Sequence, residues 1–438
     1  MASSEDFKLQ ILKDHVIPTE FFKPWKNRDG YAQAIARFVQ LNQKSFDFLG
    51  ITATISTQDT SRFEPTLHFA TSQFVGVAPI RSAGTGKVIT NIYVTGQYGE
   101  DLEELMTLMP EAVSCEYAPD LKLERAPIIL PPIFIECTKY VEKYLKAPLT
   151  QWRKFESKIR TDRYPNGQTL WTEYALRSSL YPCEAQTFNN KRNIFIEMHP
   201  ERKMLNYVLR IAIAELSRNS VPISVRPHLI SKIDRLRQFT IDPLTLKTDN
   251  IPSHRGDNAA ISELKTIANN ILNGRRSESL AWRMDMAQFY EAYIQYLFAK
   301  GALMCGMTTE NNRHIGITGS HPGWGIRYLE PDIIVRRDQG DIIVDAKYKS
   351  HIYNWASKSD ELQLTFRHDL HQVLSYLSIT GATQIKRTAI LCYPFTTTFC
   401  KSIKINNNID IILLGIPMKI NKVTQNINFI ADILSNCK

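Results

Sequence analysis

The chain has 438 residues, a formal net charge of +9 and an apolar content of 43%, which is ordinary for a globular protein. That length exceeds a usual single core, so we expect two or three domains. Charged residues interrupt every long apolar run, and the first residues lack the basic head and apolar run of a secretory signal. We therefore expect a cytoplasmic protein that neither spans nor binds a membrane.

The positive charge is concentrated in the middle of the chain. Residues 151–240 carry 16 Lys and Arg against 8 Asp and Glu, whereas residues 1–150 carry 15 against 18. Such a basic region is typical of proteins with an anionic partner, most commonly nucleic acid, and a solvated basic face is the alternative. The seven cysteines never fall in a C-x-x-C spacing, which argues against a disulfide framework or a zinc knuckle.

The first part of the chain reads as β-rich. Short apolar runs such as "LGITATIS", "QFVGVAPIR" and "KVITNIYVTG" alternate with polar turns over residues 45–98, which predicts a small barrel or sandwich. The stretch "RSAGTGKVIT" lacks the first glycine and the hydroxyl of a phosphate-binding loop, so it predicts a hairpin turn. An acidic helix follows in "GEDLEELMTLM", and the prolines of residues 125–134 mark a boundary. We assign residues 1–125 to a β-rich N-terminal domain that docks a partner.

The middle region, residues 134–250, is predicted to be mainly helical because apolar residues recur at helical spacing in "KMLNYVLRIAIAELSR". Within it, "QWRKFESKIRTDRYPNG" interleaves aromatic with basic residues, a pattern that suits phosphate contacts and base stacking. A docking face for an acidic partner subunit is an equally physical interpretation. The residues assigned to nucleic acid here are Arg153, Lys154, Lys158, Arg160 and Arg163.

The last part, residues 260–438, alternates helix and strand in the order α-β-β-α-β. A helix is predicted over 279–300, strands over 326–336 and 341–348, a helix over 360–378, and further strands in "RTAILCYPF" and "IDIILLGIPM". This order predicts a mixed sheet flanked by helices.

Two strands of that sheet contain carboxylates that a buried strand should not tolerate. In "PDIIVRRDQGDIIVDAKYK" (331–349), a hairpin would bring Asp332 beside Asp345, and the i, i+2 spacing places Asp345 and Lys347 on one side. Adjacent carboxylates repel each other unless a cation lies between them, and Mg²⁺ or Mn²⁺ with the carbonyl of Ala346 as a further ligand would supply it. The metal would activate water and Lys347 would orient it, which is the chemistry of phosphodiester hydrolysis.

The letters of this pattern alone decide nothing. Pro119 and Asp120 also spell Pro-Asp, and Asp120 with Lys122 spells D-x-K, without a surrounding hairpin of apolar strands. The competing interpretation of residues 331–349 is an edge hairpin with a surface ion pair, but "DIIV" before Asp345 is too apolar for an exposed edge. Two helices also offer polar side chains on otherwise apolar faces, Glu291 on the first and Gln372 on the second.

This arrangement resembles the PD-(D/E)xK nuclease fold. More narrowly, "PDIIV…IIVDAKYK…RHDLHQVLSYLS" and the upstream "DMAQFYEAYI" resemble McrC, the nuclease subunit of two-component restriction systems that cut modified DNA, over about residues 195–380. The resemblance implies nuclease roles for Glu291, Asp332, Asp345 and Lys347, with a supporting role for Gln372. It also implies a hetero-oligomer with a AAA+ GTPase partner, which this chain would contact through its N-terminal domain.

The sequence therefore predicts a Mg²⁺-dependent DNA endonuclease subunit of an McrBC-like defence system. Lys349, directly after the motif, is assigned to DNA contact. Two alternatives stay open: a catalytically inactive adaptor of the same fold that activates an NTPase partner, and a PD-(D/E)xK nuclease of transposition or repair.

Overall fold

The computed structural model of the chain describes residues 7–26, 31–56, 65–123, 132–146, 154–196, 199–218, 221, 234, 245–276, 279–317, 319, 322–323, 325, 327–338, 340–378, 387–406 and 408–437. The chain divides into two compact units. The first unit joins Met1–Pro132 to Arg276–Lys438, and the second is Ile133–Arg275. The segment 1–125 and the part of 260–438 that begins at residue 276, which we predicted as separate domains, therefore belong to the same compact unit, whereas residues 260–275 belong to the second unit.

The N-terminal part of the first unit contains seven strands and two α-helices among its described residues. The strands are β1 (Phe7–Gln10), β2 (Asp14–Ile17), β3 (Ile51–Ser56), β4 (Thr66–Thr71), β5 (Phe74–Arg81), β6 (Val88–Thr95) and β7 (Cys115–Lys122), and the helices are α1 (Tyr31–Leu49) and α2 (Leu102–Leu108). The predicted turn between β5 and β6 is a hairpin, in which the Ser82 N–H donates to the Lys87 carbonyl at 2.8 Å. The sequence analysis missed α1, although buried Ile35, Phe38, Phe46 and Leu49 recur along it at helical spacing.

The second unit contains helices and a small sheet. Its elements are α3 (Ile133–Lys146), β8 (Lys154–Asp162), β9 (Gln168–Thr169), α4 (Trp171–Leu180), β10 (Phe188–Ile196), α5 (Pro200–Leu216) and α6 (Ala259–Arg276). Helices α3, α5 and α6 share a core that includes Tyr140, Leu209 and Leu264. Within this mainly helical prediction, the stretches that form β8, β9 and β10 are instead strands of an antiparallel sheet, with helix α4 between β9 and β10. The reason is that apolar Phe155 and Ile159 alternate with polar neighbours at the two-residue period of a strand. This strand, β8, pairs with β10 over nine residues.

The C-terminal part completes the first unit. It contains β11 (Leu280–Asp285), α7 (Met286–Met304), β12 (Thr308–Asn311), β13 (Ile315–Gly316), β14 (Tyr328–Leu329), β15 (Ile333–Arg336), β16 (Ile342–Ala346), α8 (Asp360–Leu377), β17 (Arg387–Pro394), β18 (Phe399–Asn406), β19 (Ile409–Ile416) and α9 (Val423–Asn436). The predicted α-β-β-α-β order is present as α7, β15, β16, α8 and β17. Within the predicted strand over 326–336, only β14 and β15 are extended.

The predicted helix over 279–300 begins later than expected. Residues 280–285 form β11, which pairs between β5 and β7 in a five-stranded sheet of order β1-β6-β5-β11-β7. Asp285 then caps α7, because its Oδ1 accepts hydrogen bonds from the N–H groups of Ala287 and Gln288 at 2.8 and 3.3 Å. Strand β11 is the physical reason why the N-terminal and C-terminal segments form one unit.

A six-stranded mixed sheet carries the hairpin with the carboxylates. Its order is β12-β15-β16-β17-β19-β18; β15 and β16 are antiparallel, whereas β16, β17 and β19 run parallel. Helix α8 packs one face through Val373 and Leu377 against Ile343, Ala389 and Leu391. Neither face of the central strands is open to water, which is why these strands are almost wholly apolar. No helix within the described ranges is long and apolar enough to cross a membrane.

Replacing the helix cap at Asp285 tests the junction between β11 and α7. We expect Asp285→Ala to lower the free energy of unfolding by about 1–2 kcal/mol, because it removes the cap of α7 and the hydrogen bond from Gln73 Nε2 at 3.0 Å. Urea unfolding followed by circular dichroism would measure it. Asp338→Ala, at an exposed turn position, is the control; equal stability of the two variants would contradict the assigned cap.

Candidate active site

The hairpin of β15 and β16 holds Asp332 against the strand that carries Asp345. Ile333 pairs with Val344, so Asp332, which directly precedes β15, lies next to Asp345 in the antiparallel register. Its Oδ2 atom accepts a hydrogen bond from the backbone N–H of Ala346 at 2.7 Å. The structure thus brings together the two carboxylates that the sequence suggested would meet.

Lys347 is held by groups from two elements. Its Nζ lies 2.6 Å from Asp345 Oδ2 and donates a hydrogen bond to Gln372 Oε1 at 3.0 Å. Gln372 is oriented in turn, because its Nε2 donates to the Tyr376 hydroxyl at 2.8 Å. Gln372 and Tyr376 of α8 therefore hold the ammonium group of Lys347 in place.

The electrostatics of the pair are those of buried like charges. Asp345 is 0% exposed, and its Oδ1 has no hydrogen-bond partner. Burial raises the pKa of Asp332 to about 8, and the neighbouring carboxylate of Asp345 adds to this increase. Burial also raises the pKa of Asp345, although the Lys347 ammonium opposes it. Burial alone would lower the pKa of Lys347, but the carboxylates around it outweigh burial and raise that pKa.

Glu291 borders the pair from helix α7. Its Oε1 accepts a hydrogen bond from Gln295 Nε2 at 3.1 Å, and the same Nε2 lies 3.2 Å from the backbone carbonyl of Asp332, to which it donates. Burial raises the pKa of Glu291, opposed by a hydrogen bond with Asn312 and reinforced by Asp345. The sequence analysis did not select Gln295; its signal was its position one helical turn after Glu291.

Helix α8 also carries a buried acid to which the sequence analysis assigned no role. Asp369 is 2% exposed; its Oδ1 lies 2.5 Å from Lys349 Nζ, and its Oδ2 accepts a hydrogen bond from the Tyr393 hydroxyl at 3.1 Å. Lys349, assigned from the sequence to DNA, is therefore ion-paired with Asp369, while its side chain is still 36% exposed. These contacts were not visible in the sequence because they join the segment after β16 to helix α8 and strand β17.

The donor set fits a hard divalent cation held by two carboxylates. Mg²⁺ is commonly bound through one or two carboxylates, with water and substrate phosphate completing its shell. The unpartnered Oδ1 of buried Asp345 and the elevated pKa of Asp332 are both features that a cation would relieve. Across the described part of the chain, no group of three or more His, Cys, Asp and Glu side chains could hold a metal ion. Glu291 therefore does not complete a three-carboxylate site with Asp332 and Asp345.

The basic residues of the middle region lie on a strand and not on a helix. Lys158 and Arg160 are exposed on β8, where their i, i+2 spacing places them on one face, and Arg163 is exposed in the turn that follows. Arg153 lies outside the described residues, as does the side chain of Lys154. The predicted basic surface is therefore an exposed strand and turn.

Residues 85–394 match the sequence model of a protein family described as McrBC 5-methylcytosine restriction system component. The chain matches no curated protein sequence. Among solved structures, it is similar to a chain in the refined half-complex from the tetradecameric assembly of Thermococcus gammatolerans McrB AAA+ hexamers with bound McrC. The TM-score of this comparison is 0.47 at 12% sequence identity, and it covers 98% of this chain and 100% of that chain. The cryo-EM structure of the Thermococcus gammatolerans McrBC complex gives a TM-score of 0.32, at 11% identity over 68% of this chain and 88% of that chain.

The raised pKa of Asp332 should make the stability of the metal-free protein depend on pH. Its pKa in the folded state, about 8, lies above its ordinary value of 3.8, so protonation stabilises the fold at low pH. This contribution is fully present below the ordinary pKa and is lost as the pH rises through the folded-state pKa. Asp332→Asn keeps an acceptor for the Ala346 N–H without the charge. In chelator at about pH 9 we expect it to be more stable than the parent by about 1 kcal/mol or more.

Thermal unfolding at about pH 5 and about pH 9 would measure this difference, which should be much smaller at the lower pH, where Asp332 is neutral in the folded protein. The control is Asp338→Asn, at an exposed turn position. A stability gain that is the same at both pH values, or absent at the higher one, would contradict the assigned electrostatics.

Proposed function

Because the chain belongs to the family of McrBC 5-methylcytosine restriction system components, we propose that it is the metal-dependent DNA endonuclease subunit of such a system. The observation that carries this proposal is the buried cluster of Asp332, Asp345 and Lys347. A scaffold has no need for adjacent buried carboxylates, which destabilise a fold unless a cation compensates them. The order α7, β15, β16, α8 and β17 around the cluster supports a PD-(D/E)xK nuclease domain.

The proposed roles follow from the positions of the side chains. Asp332, Asp345 and the carbonyl of Ala346 would hold Mg²⁺ or Mn²⁺, which when bound lowers the pKa of water and stabilises charge on phosphate oxygens. Lys347, kept protonated by its carboxylate neighbours, orients the attacking water and neutralises negative charge that develops on the phosphate. Gln372 fixes Lys347, and Glu291 supports Asp332 through Gln295.

We propose a AAA+ GTPase as the partner in a hetero-oligomer. McrC-like proteins, which the motifs of this chain resemble, act with such a subunit, and recognition of the modified base then belongs to the partner. The turn at 82–87 is a hairpin and not a phosphate-binding loop, so nucleotide hydrolysis is assigned to the partner. The N-terminal strands up to residue 125 are the proposed docking region.

Asp345→Ala tests the nuclease proposal against the adaptor alternative. We expect Mg²⁺-dependent cutting of DNA by the purified complex to fall by at least about 10²-fold, because a charged group at the reacting phosphate is removed. Partner binding and GTP hydrolysis by the partner should be unchanged. Gel analysis of plasmid cleavage and a phosphate-release assay would measure the two activities.

The chain supplies a matched control for this experiment. Asp338→Ala, at an exposed turn position outside the proposed docking region, should leave cleavage intact. Undiminished cutting by the Asp345→Ala complex would discard the site assignment. A parent complex that stimulates GTP hydrolysis but cuts no DNA would favour the adaptor.

The basic surface of the middle region yields a separate prediction. If Lys158, Arg160 and Arg163 bind phosphates, replacing all three by alanine weakens DNA binding by the isolated protein. The slope of log K against log salt should also become shallower by about 0.9 for each phosphate that is no longer neutralised. Fluorescence anisotropy at several salt concentrations would measure both. An unchanged slope combined with weaker partner binding would instead assign this face to the partner subunit.

A further inference from the structure

Tyr348 lies between the two lysines of the site and is anchored by a residue from the N-terminal segment. Its hydroxyl donates a hydrogen bond to Glu100 Oε1 at 2.5 Å, and Tyr348 is only 5% exposed. The other oxygen of Glu100 accepts a hydrogen bond from the backbone N–H of Tyr98 at 3.0 Å. Both oxygens of the Glu100 carboxylate are thus used to hold one tyrosine to one turn.

Aromatic rings enclose this hydrogen bond. The ring of Tyr98 meets that of Tyr348 edge-on at 5.4 Å, and Tyr290 of α7 lies 5.7 Å from it. Tyr98 also stacks on Tyr353, in the loop after the site, with ring centroids 5.2 Å apart. A hydrogen bond shielded from water in this way is stronger and more directional than an exposed one.

The turn that carries Glu100 is also tied to the C-terminal part of the unit. Oδ1 of Asp101 lies 3.0 Å from Lys419 Nζ, and Oδ2 accepts a hydrogen bond from the N–H of Ile420 at 3.0 Å. The N–H of Asp101 donates to the Met418 carbonyl at 3.0 Å. Glu100 is therefore presented from a braced position and not from a free loop.

The backbone on either side of Tyr348 carries the groups of the site. Before it, the Lys347 N–H donates to the Cys392 carbonyl at 2.8 Å; after it, the Lys349 N–H donates to the Lys347 carbonyl at 2.9 Å. Strand pairing along β16 ends at Ala346, and the Lys347 N–H is its last hydrogen bond to β17. Beyond Lys347, the side chain of Tyr348 is the next point at which this backbone is fixed. A small rotation there would move Lys347 Nζ away from Asp345 and Gln372.

We propose that Glu100 and Tyr348 are positioning residues of the cleavage site, so that the N-terminal segment completes a nuclease centre whose reacting groups all lie after residue 290. This inference rests on the proposed nuclease function. Misplacing a reacting group by about 1 Å can cost about 10²-fold in rate. Removal of the Glu100–Tyr348 hydrogen bond should therefore lower kcat while leaving the KM for DNA, which reflects surfaces elsewhere, nearly unchanged.

Gly96 offers a way to disturb Glu100 without changing either partner of the hydrogen bond. A Cβ atom at residue 96 would lie 2.3 Å from Glu100 Oε2, so Gly96→Ala must push the carboxylate aside. The displaced atoms are the end of a flexible side chain, and the fold can therefore accommodate the change. Gly316→Ala is the matched control, because a Cβ atom there meets nothing within 4 Å.

The experiment measures DNA cleavage by the complex of the full chain with its GTPase partner, for the parent and for Tyr348→Phe, Glu100→Leu, Gly96→Ala and the double variant Glu100→Leu/Tyr348→Phe. We expect each to lower kcat by about 10- to 100-fold, with KM and the unfolding temperature within error of the parent. The double variant should be no slower than the single variants, since all remove one interaction. Gly316→Ala should cut as the parent does.

Three results would overturn the inference. The first is that the parent complex cuts DNA and each single variant has the same kcat as the parent. The second is a double variant in which the two reductions in kcat add. That result would mean that the two residues act separately. The third is a reduction in kcat that accompanies a fall in unfolding temperature, which would indicate general destabilisation. A parent complex that cuts no DNA overturns the proposed function itself, which separates that failure from this one.

Discussion

The burial of Asp345 beside Asp332 is the constraint on which the rest of the site depends. A carboxylate with no exposed surface and one unpartnered oxygen destabilises a fold, and a second carboxylate beside it adds repulsion. The fold tolerates the pair because strands β15 and β16 are held by an apolar sheet packed under α8. Lys347 supplies one compensating charge at 2.6 Å. The remaining imbalance is what makes the cluster suited to a divalent cation.

Around this pair the structure builds a shell of hydrogen bonds from several segments. Helix α8 contributes Gln372, which orients Lys347, and Asp369, which pairs with Lys349. Helix α7 contributes Glu291 and Gln295, and Gln295 reaches the backbone of Asp332. Each charged group at the rim of the sheet is thus held by a residue from another element. Positioning of this kind is what phosphoryl chemistry requires from a protein.

The two ends of the chain form one unit because β11 pairs between β5 and β7. A strand from the C-terminal segment in the middle of the N-terminal sheet makes independent motion of the two segments costly, since backbone groups pair along both of its edges. The turn at Tyr98–Asp101 then reaches Tyr348, in the loop that follows β16, through Glu100. A partner docked on the N-terminal strands would therefore contact the same unit that carries the carboxylates.

The sequence by itself determined the main elements around the hairpin of β15 and β16 and predicted the meeting of Asp332, Asp345 and Lys347. The apolar runs around Asp332 and Asp345, the turn between them and the amphipathic helix that carries Gln372 are local patterns, so periodicity and spacing were sufficient. The same reasoning began α7 too early, at the residues that form β11, and missed the small sheet of β8, β9 and β10 in the middle region. A strand such as β11 or β8 is defined by partners that are distant in sequence. Only the tertiary structure decided that Lys349 pairs with Asp369, that Gln295 joins Glu291 to Asp332, and that Glu100 reaches Tyr348. Each of these contacts joins residues whose proximity is created by sheet order and helix packing, which no local pattern encodes.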